Sequence, residues 1–363
     1  ICECQNCSHV FNYITDIEYT NLMTYYEKEY SFINLNSFST TNDMPGTLNQ
    51  NSLVRYEKLY NFLIPHLENK NLNIVDIGCS GGGFLKFLKT KGNKFNLIGV
   101  EPSINYVEKA KSEGLNIING SAENTNLDSK FADVIILDQV LEHLKNLDKV
   151  TNEIFRILKP GGIVYIGVPN SVFYDNFSFF NFYWFLLREH LQHFNIDTLT
   201  LLFKNKGLDL INYNEFVFPM LGTTTFLPCL GVVFQKKSLK TNTFILNNNK
   251  KWAFNYIKKQ LKELDYLKSL NLKFDLDTYV WGIGREFFHL IAQEVVDFNS
   301  CILIDSNSYK RDNLRVNGKK IFSPFFIDCN DEDKKIVFTA IAHRKALLKQ
   351  CEKMGFKGKY FFI

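Results

Sequence analysis

The sequence carries almost no excess charge of either sign. Its 42 basic and 38 acidic residues, spread over 363 positions, leave a formal net charge of +4. The lysines are interleaved with acids, so there is no basic stripe of the kind that marks a nucleic-acid binder, and no nucleic-acid partner is expected. Cysteine is sparse as well. Eight in the whole chain are too few for a disulfide-stapled scaffold and fit a reducing compartment. Unbroken apolar runs are also missing. Phe216 to Gln235 carries no charge, but Pro219, Gly222, Thr223, Thr224, Thr225, Pro228 and Gly231 interrupt it. That stretch reads as strand, loop and strand, and no membrane span is expected. No charged segment followed by an apolar one opens the sequence, so no secretory signal is expected within it and a cytoplasmic location is. Because it begins at Ile1 rather than Met, further residues are expected upstream. No short internal repeat is visible.

What is present is enough apolar material for more than one core. Hydrophobic residues make up 45% and charged residues 22%, which excludes a wholly disordered chain, and the length suggests two to three domains. Residues 1–50 form an N-terminal region in which the segment from Ile1 to about Phe38 is aromatic-rich and reads as irregular, with Tyr19, Tyr25, Tyr26 and Tyr30, followed by a polar loop from Ser39 to Gly46. From Asn51 to Leu67 the apolar positions Leu53, Tyr56, Leu59, Tyr60, Leu63 and Leu67 recur at helical spacing. Short apolar runs then alternate with helical segments. Strands are expected at 72–77, 96–100, 115–118, 132–138 and 162–168, with helices between them and strands near 209–214 and 231–236 closing the unit. Such alternation means a parallel sheet with helices on both faces. A polar punctuation, Asn247 to Lys251, precedes a linker helix within 241–275. Residues 276–363 restart the alternation as a second, smaller α/β domain.

The strongest chemical signal is Val75-Asp-Ile-Gly-Cys-Ser-Gly-Gly-Gly-Phe84, lying between the first strand and its helix. Glycines there let a ligand approach the backbone closely, and the helix start presents free amides. Asp76 at the strand end suits a cationic or hydroxylated ligand better than a phosphate. Glu101 ends the second strand, where a carboxylate can accept two hydrogen bonds from ribose hydroxyls. Asn119-Gly-Ser-Ala-Glu123 and Leu137-Asp-Gln-Val-Leu-Glu-His-Leu144 follow the third and fourth strands, at the carboxyl edge where open α/β sheets bind ligands.

Together these residues resemble the class I S-adenosylmethionine-dependent methyltransferases over about Leu72 to Lys236. The loop from Asp76 to Gly82, Glu101, Ser121 to Glu123, Asp138 to Leu144 and Lys159 to Gly162 fall in that family's order, with Ser80 where its second glycine usually stands. The resemblance implies a Rossmann-like sheet, S-adenosylmethionine as cofactor, and cofactor-binding roles for Asp76, Gly78, Cys79, Ser80, Gly82, Glu101, Pro102, Ser121, Ala122, Glu123, Asp138 and Gln139.

The flanks narrow the resemblance. Cys4 and Cys7 form a C-x-x-C knuckle, half of a tetrahedral structural zinc site, with Cys2 as a further thiol. A zinc knuckle, a methyltransferase core and a trailing α/β domain resemble the sugar C-methyltransferases that act on nucleotide-linked keto-sugars. That resemblance implies a sugar or nucleotide-sugar acceptor, a homodimer among the possible assemblies, and catalysis by a Glu-His pair mapping to Glu189 and His190. An imidazole beside a carboxylate makes a competent general base. The assisting Tyr of those enzymes is absent from its place, where Leu187 and Arg188 stand, which leaves O-methylation as open as C-methylation. His143 and His193 are secondary candidates, and each reads more readily as a structural histidine. The aromatic run from Phe173 to Leu187 reads as a lid or as an oligomer contact. In the last domain Gly282-Ile-Gly284 lacks a third glycine, having Phe287 instead, while Asp305 sits where it could touch a ribose. A nicotinamide-dependent enzyme would need G-x-G-x-x-G, which neither loop supplies. The remaining alternatives are a non-catalytic cofactor-binding scaffold and a methyltransferase acting on another small molecule.

Overall fold

The computed structural model describes residues 1–30, 48, 50–67, 71–92, 95–178, 180–219, 226–237, 252–340 and 343–363. The expected polar loop at 39–46 and the punctuation at 247–251 lie outside them. The chain divides into two compact units, the first comprising 1–174, 185–218 and 228–251, the second 175–184, 219–227 and 252–363.

The first unit opens with β1 (Cys2–Glu3), β2 (Val10–Phe11) and α1 (Asp16–Thr24), then a π-helical turn (Tyr25–Glu29). Residues 16–29 of the segment read as irregular are therefore helical. Thr15 and Glu18 form a reciprocal capping box: the Glu18 amide donates to Thr15 Oγ1 at 3.2 Å and the Thr15 amide to Glu18 Oε2 at 3.0 Å. Two donors of the first turn are thereby satisfied, and a helix starts there in spite of its weak amphipathicity.

After α2 (Gln50–Leu63) the alternation runs β3 (Asn73–Ile77), α3 (Gly83–Thr90), β4 (Asn96–Glu101), α4 (Ile104–Ser112), β5 (Ile117–Asn119), β6 (Ala132–Asp138), α5 (Leu147–Ile157) and β7 (Leu158–Pro169). It closes with β8 (Gln192–His193), α6 (Ile196–Lys204), β9 (Leu208–Pro219) and β10 (Phe226–Lys236). Seven strands form one sheet in the order β5-β4-β3-β6-β7-β10-β9. The pairings from β5 to β7 are parallel, but β10 runs antiparallel to β7 with Val232 opposite Ile166. The sheet is thus mixed rather than wholly parallel.

Period-two alternation puts neighbouring side chains on opposite faces. Val75, Ile135 and Val164 pack one face against Val150 and Ile154 of α5 and Phe203 of α6. Ile74, Val134 and Tyr165 pack the other against Leu59 of α2 and Phe87 of α3. Both faces being covered explains why these strands read as continuous apolar runs.

The second unit carries α7 (Trp252–Ser269), β11 (Leu272–Lys273), β12 (Thr278–Trp281), α8 (Arg285–Ala292), β13 (Val296–Asp297) and β14 (Ile302–Ile304). It continues through α9 (Ser308–Asn313), β15 (Arg315–Val316), β16 (Lys319–Phe322), β17 (Lys335–Phe338), α10 (Arg344–Met354) and β18 (Lys359–Phe362). Its six-stranded sheet has the order β15-β16-β14-β12-β17-β18. The expected linker helix α7 belongs to this unit, where Leu264 joins the core of Val280, Phe287 and Leu303. Asp305 accepts the amides of Ile283 at 2.9 Å and Asn307 at 2.8 Å. Its carboxylate thus ties down the glycine loop. The aromatic run is likewise split between cores: Tyr174 packs on Phe185 and His193 in the first unit, and Phe180 on Tyr183 and His289 in the second.

Candidate active site at the carboxyl edge of the seven-stranded sheet

A cavity of about 300 Å³ opens where β3, β4 and β6 end. Eight of the expected cofactor residues line it: Gly78, Ser80, Glu101, Pro102, Ser121, Ala122, Glu123 and Gln139. The turn that forms its floor depends on three residues with positive φ, Gly78 (76°), Ser80 (48°) and Gly82 (72°). Two glycines accept this conformation freely, and Ser80 carries the strain of a side chain there. A Cβ on Gly78 would come within 2.5 Å of Val140 Cγ2, so the wall itself requires glycine.

Glu101 is the organising group. Its Oε2 accepts the Ser80 amide at 2.9 Å and its Oε1 the Ser103 amide at 3.0 Å. Each oxygen keeps a lone pair in hand, in a wall that faces the cavity. Burial pushes its pKa up to about 7, against the lowering effect of those two amides.

The other four expected cofactor residues do not line the cavity. Cys79 is buried against Leu85, Val107 and Ile117, and burial raises its thiol pKa well above the usual value. Gly82 starts α3 and passes so close to Leu115 that a Cβ would meet its Cδ1 at 2.2 Å. Asp76 is buried at the end of β3, its pKa raised first by burial and then by the charges of Asp138 and Glu101. Asp138 is engaged from a direction the sequence did not advertise. Arg55 of α2 grips it bidentately, Nε to Oδ2 at 2.8 Å and Nη2 to Oδ1 at 2.7 Å, while its guanidinium lies over the Phe218 ring.

The opposite wall is a surprise from the N-terminal helix, for Tyr19, Met23, Tyr26, Glu27 and Tyr30 all line the cavity. Tyr19 donates to Glu123 Oε1 at 3.3 Å. Tyr26 lies 3.0 Å from His143 Nδ1, so a tyrosine does reach an imidazole, from the π-helical turn after α1 and not from the segment before Glu189. The capping box at Thr15 and Glu18 was the available sign that this stretch is an element.

His143, not His190, lines the cavity. Its Nδ1 lies 2.8 Å from the Glu189 carbonyl oxygen, an obligate acceptor, so Nδ1 carries the proton and Nε2 the lone pair. His190 packs edge-on against it with ring centroids 4.9 Å apart. Burial lowers the His143 pKa. Glu142 is fully buried beside them, with His143 Nε2 3.9 Å from Oε1. Burial, reinforced by Asp138, pushes its pKa up to about 8 against the lowering effects of its own amide and Arg55.

The Glu189–His190 segment is held from both sides. Asn12 donates from Nδ2 to the His190 carbonyl at 2.9 Å, and the Leu191 amide donates to the Glu142 carbonyl at 2.7 Å. β1, β2 and β8 form a small sheet that pairs Val10 with His193. His193 itself is a core residue, 3.1 Å from the Tyr174 hydroxyl, its pKa lowered to about 3 by burial and by His9.

The amides of Cys7 and Asn6 donate to Cys4, which lowers its thiol pKa. Among the described residues no third His, Cys or carboxylate ligand joins Cys4 and Cys7. The residues present thus supply half of a tetrahedral zinc site and do not by themselves fit a closed one.

Residues 49–213 match a family model described as a methyltransferase domain. The chain carries a methyltransferase domain. Its sheet is the Rossmann-like sheet of the S-adenosylmethionine-dependent class I fold. Curated relatives include the ubiquinone/menaquinone biosynthesis C-methyltransferase of Campylobacter jejuni, 29% identical over 104 residues, 27% of this chain and 44% of that protein. A ubiquinone biosynthesis O-methyltransferase of Dictyostelium discoideum is 25% identical over 142 residues, 33% of this chain and 44% of that protein. A sterol 4-C-methyltransferase of Caenorhabditis elegans is 30% identical over 105 residues, 27% of this chain and 31% of that protein. The chain therefore spans less than half the length of these relatives. A solved S-adenosylmethionine-dependent methyltransferase from Methanosarcina mazei is 18% identical, with a TM-score of 0.41 over 48% of this chain and 97% of that one. Among the described residues no helix is long and apolar enough to cross a membrane.

Proposed function

We propose that the chain transfers the methyl group of S-adenosylmethionine to a sugar or nucleotide-sugar, at an oxygen or at a carbon next to a ketone. The observation that carries the reading is the Glu101 carboxylate, fixed by two backbone amides at the rim of a cavity whose other wall bears imidazole and phenol groups. Glu101 accepts the ribose hydroxyls, Ser121 to Glu123 flank the adenine, and the Gly78–Ser80 turn holds the methionine part. Asp76 and Asp138 place negative charge close by, which suits a cationic cofactor.

The sulfonium is already activated, so catalysis is chiefly a matter of placement. Holding acceptor and methyl in line is the effect behind effective molarities of about 10⁵–10⁸ M in well-oriented intramolecular reactions. The acceptor proton passes to the His143–His190 pair, with Glu189 alongside; a general base typically contributes ~10²–10⁴-fold. His143 faces the cavity and is kept neutral by burial, with its lone pair on Nε2. Tyr26 stands where it can donate to an acceptor oxygen.

The sugar acceptor is favoured by the polar groups of the wall and by the second α/β unit, whose residues 219–227 and 252–363 lie beyond the stretch matched by the family model. The names of the relatives favour a second reading, a phenolic or sterol acceptor. Methyl-labelled cofactor incubated with nucleotide-linked keto-sugars, phenols and sterols in parallel separates the two. Label in the sugar is the expected result, and label only in a phenol or sterol would overturn the sugar reading.

A further inference from the structure

We propose that Glu142, His143 and His190 bind a divalent transition-metal ion, Zn²⁺ or a similar borderline cation. The three side chains lie in one unit, and each offers a ligand atom within 4.8 Å of the other two. Two imidazoles and one carboxylate are a donor set that suits such ions and leaves coordination positions open. The sequence shows Glu142 and His143 as neighbours; only the fold turns both toward His190.

Glu142 is the second, independent sign. It is 0% exposed, and neither carboxylate oxygen has a hydrogen-bond partner. A fully buried carboxyl group is costly to leave without a bonded partner, whether ionised or protonated, and an ion at this spot would supply one. Arg55 acts on it only from a distance, because its guanidinium is held bidentately by Asp138 and makes no bond to Glu142. The third sign is the orientation of His143. Its Nδ1–H donates to the Glu189 carbonyl at 2.8 Å, the kind of contact that fixes metal-ligating histidines and directs Nε2 at the ion. Nε2 stands 3.9 Å from Glu142 Oε1. With metal–ligand bonds of about 2.0–2.1 Å, ligand atoms of a tetrahedral site sit roughly 3.3 Å apart, so loading requires the Glu142–His143 pair to close by about half an ångström and the widest pair by up to about 1.5 Å.

His143 also lines the cavity, so an ion there has an open side toward the acceptor. Its role in catalysis rests on the methyl-transfer reading above; its binding does not. With both imidazoles engaged as ligands, the metal would take the place of the histidine pair as the group that activates the acceptor, whose oxygen would complete the coordination and be acidified as metal-bound water is. Its proton leaves to solvent, the oxygen–methyl bond forms, and the methyl–sulfur bond breaks to leave the neutral thioether.

The test uses the full chain carrying Cys4→Ser and Cys7→Ser, which removes the thiols as a rival site. The protein is stripped with chelator and titrated with Co²⁺, followed by ligand-field absorption and calorimetry. One ion per chain is expected. Glu142→Gln and His143→Gln should each weaken it by more than about 100-fold, beyond the effect typical of outer-shell changes. Thermal melting and S-adenosylhomocysteine binding report whether each variant is folded, and His190→Gln provides a third variant should one of these unfold. Absence of stoichiometric Co²⁺ binding by folded protein, or binding that survives all three substitutions, would overturn the site. Cofactor binding without Co²⁺ binding removes the metal alone. Co²⁺ binding without cofactor binding upholds the metal site and removes the methyl-transfer reading.

Discussion

Arg55→Met should unfold the methyltransferase domain at a markedly lower temperature, although Arg55 belongs to no motif. Its guanidinium meets Asp138 through two short hydrogen bonds, with the side chains 21% and 17% exposed. Removing one member of a buried pair costs about 3–5 kcal/mol, since the partner charge is stranded. Partial exposure reduces that here to about 2–3 kcal/mol. The stranded carboxylate would also face Asp76, whose pKa already feels the Asp138 charge. For a domain of this size each kcal/mol moves the midpoint by about 2–4 °C, so a fall of about 5–10 °C is expected. The assay is thermal and urea unfolding of native protein, Arg55→Met, Asp138→Leu and the double variant. Replacing both charges with apolar groups should recover most of the loss. A shift below about 1 °C for Arg55→Met, or a double variant as unstable as the sum of the singles, would refute the argument.

Three further outcomes follow from the site. Glu101 has a folded-state pKa of about 7, raised by burial above the ordinary carboxylate value. Between the ordinary value and 7 the cofactor-free fold holds a proton that the unfolded chain does not, so its stability falls as pH rises through that window. Cofactor binding needs the carboxylate, so affinity for S-adenosylhomocysteine should fall as pH drops below about 7; calorimetry of Glu101→Gln should show weak binding without that dependence. Thr15→Ala removes the cap of α1 and should cost about 1 kcal/mol locally, read as faster amide exchange over residues 16–29 and weaker cofactor binding through loss of the Tyr19 and Tyr26 wall. Asn12→Ala frees the His190 carbonyl and should lower kcat while leaving cofactor affinity nearly unchanged; an equal loss in both would contradict its positioning role.

The alternation of β3 to β7 with their helices was legible because each strand is covered on both faces and its helix keeps one apolar stripe. The glycine turn and Glu101 were legible for a related reason, since close backbone approach and strand-end carboxylates leave local marks. What was not legible depends on contacts distant in sequence. Arg55 on α2 meets Asp138 at the end of β6, and two-residue strands pair Val10 with His193. No periodicity reports such a pairing. The helix carrying Tyr19 and Tyr26 escaped notice because its apolar residues form no stripe, although Thr15 and Glu18 stood at capping-box spacing. His143 and His190 could be ranked only by fold, which puts the first on the cavity wall and the second behind it.

The measurement that bears most directly on the central claim is calorimetric titration with S-adenosylhomocysteine, native protein against Glu101→Ala. The account predicts stoichiometric binding, weakened about 100-fold or more in the variant, since two hydrogen bonds to a charged acceptor are lost at about 1.5–3 kcal/mol each. No binding by folded native protein, or undiminished binding by a folded Glu101→Ala, would contradict it.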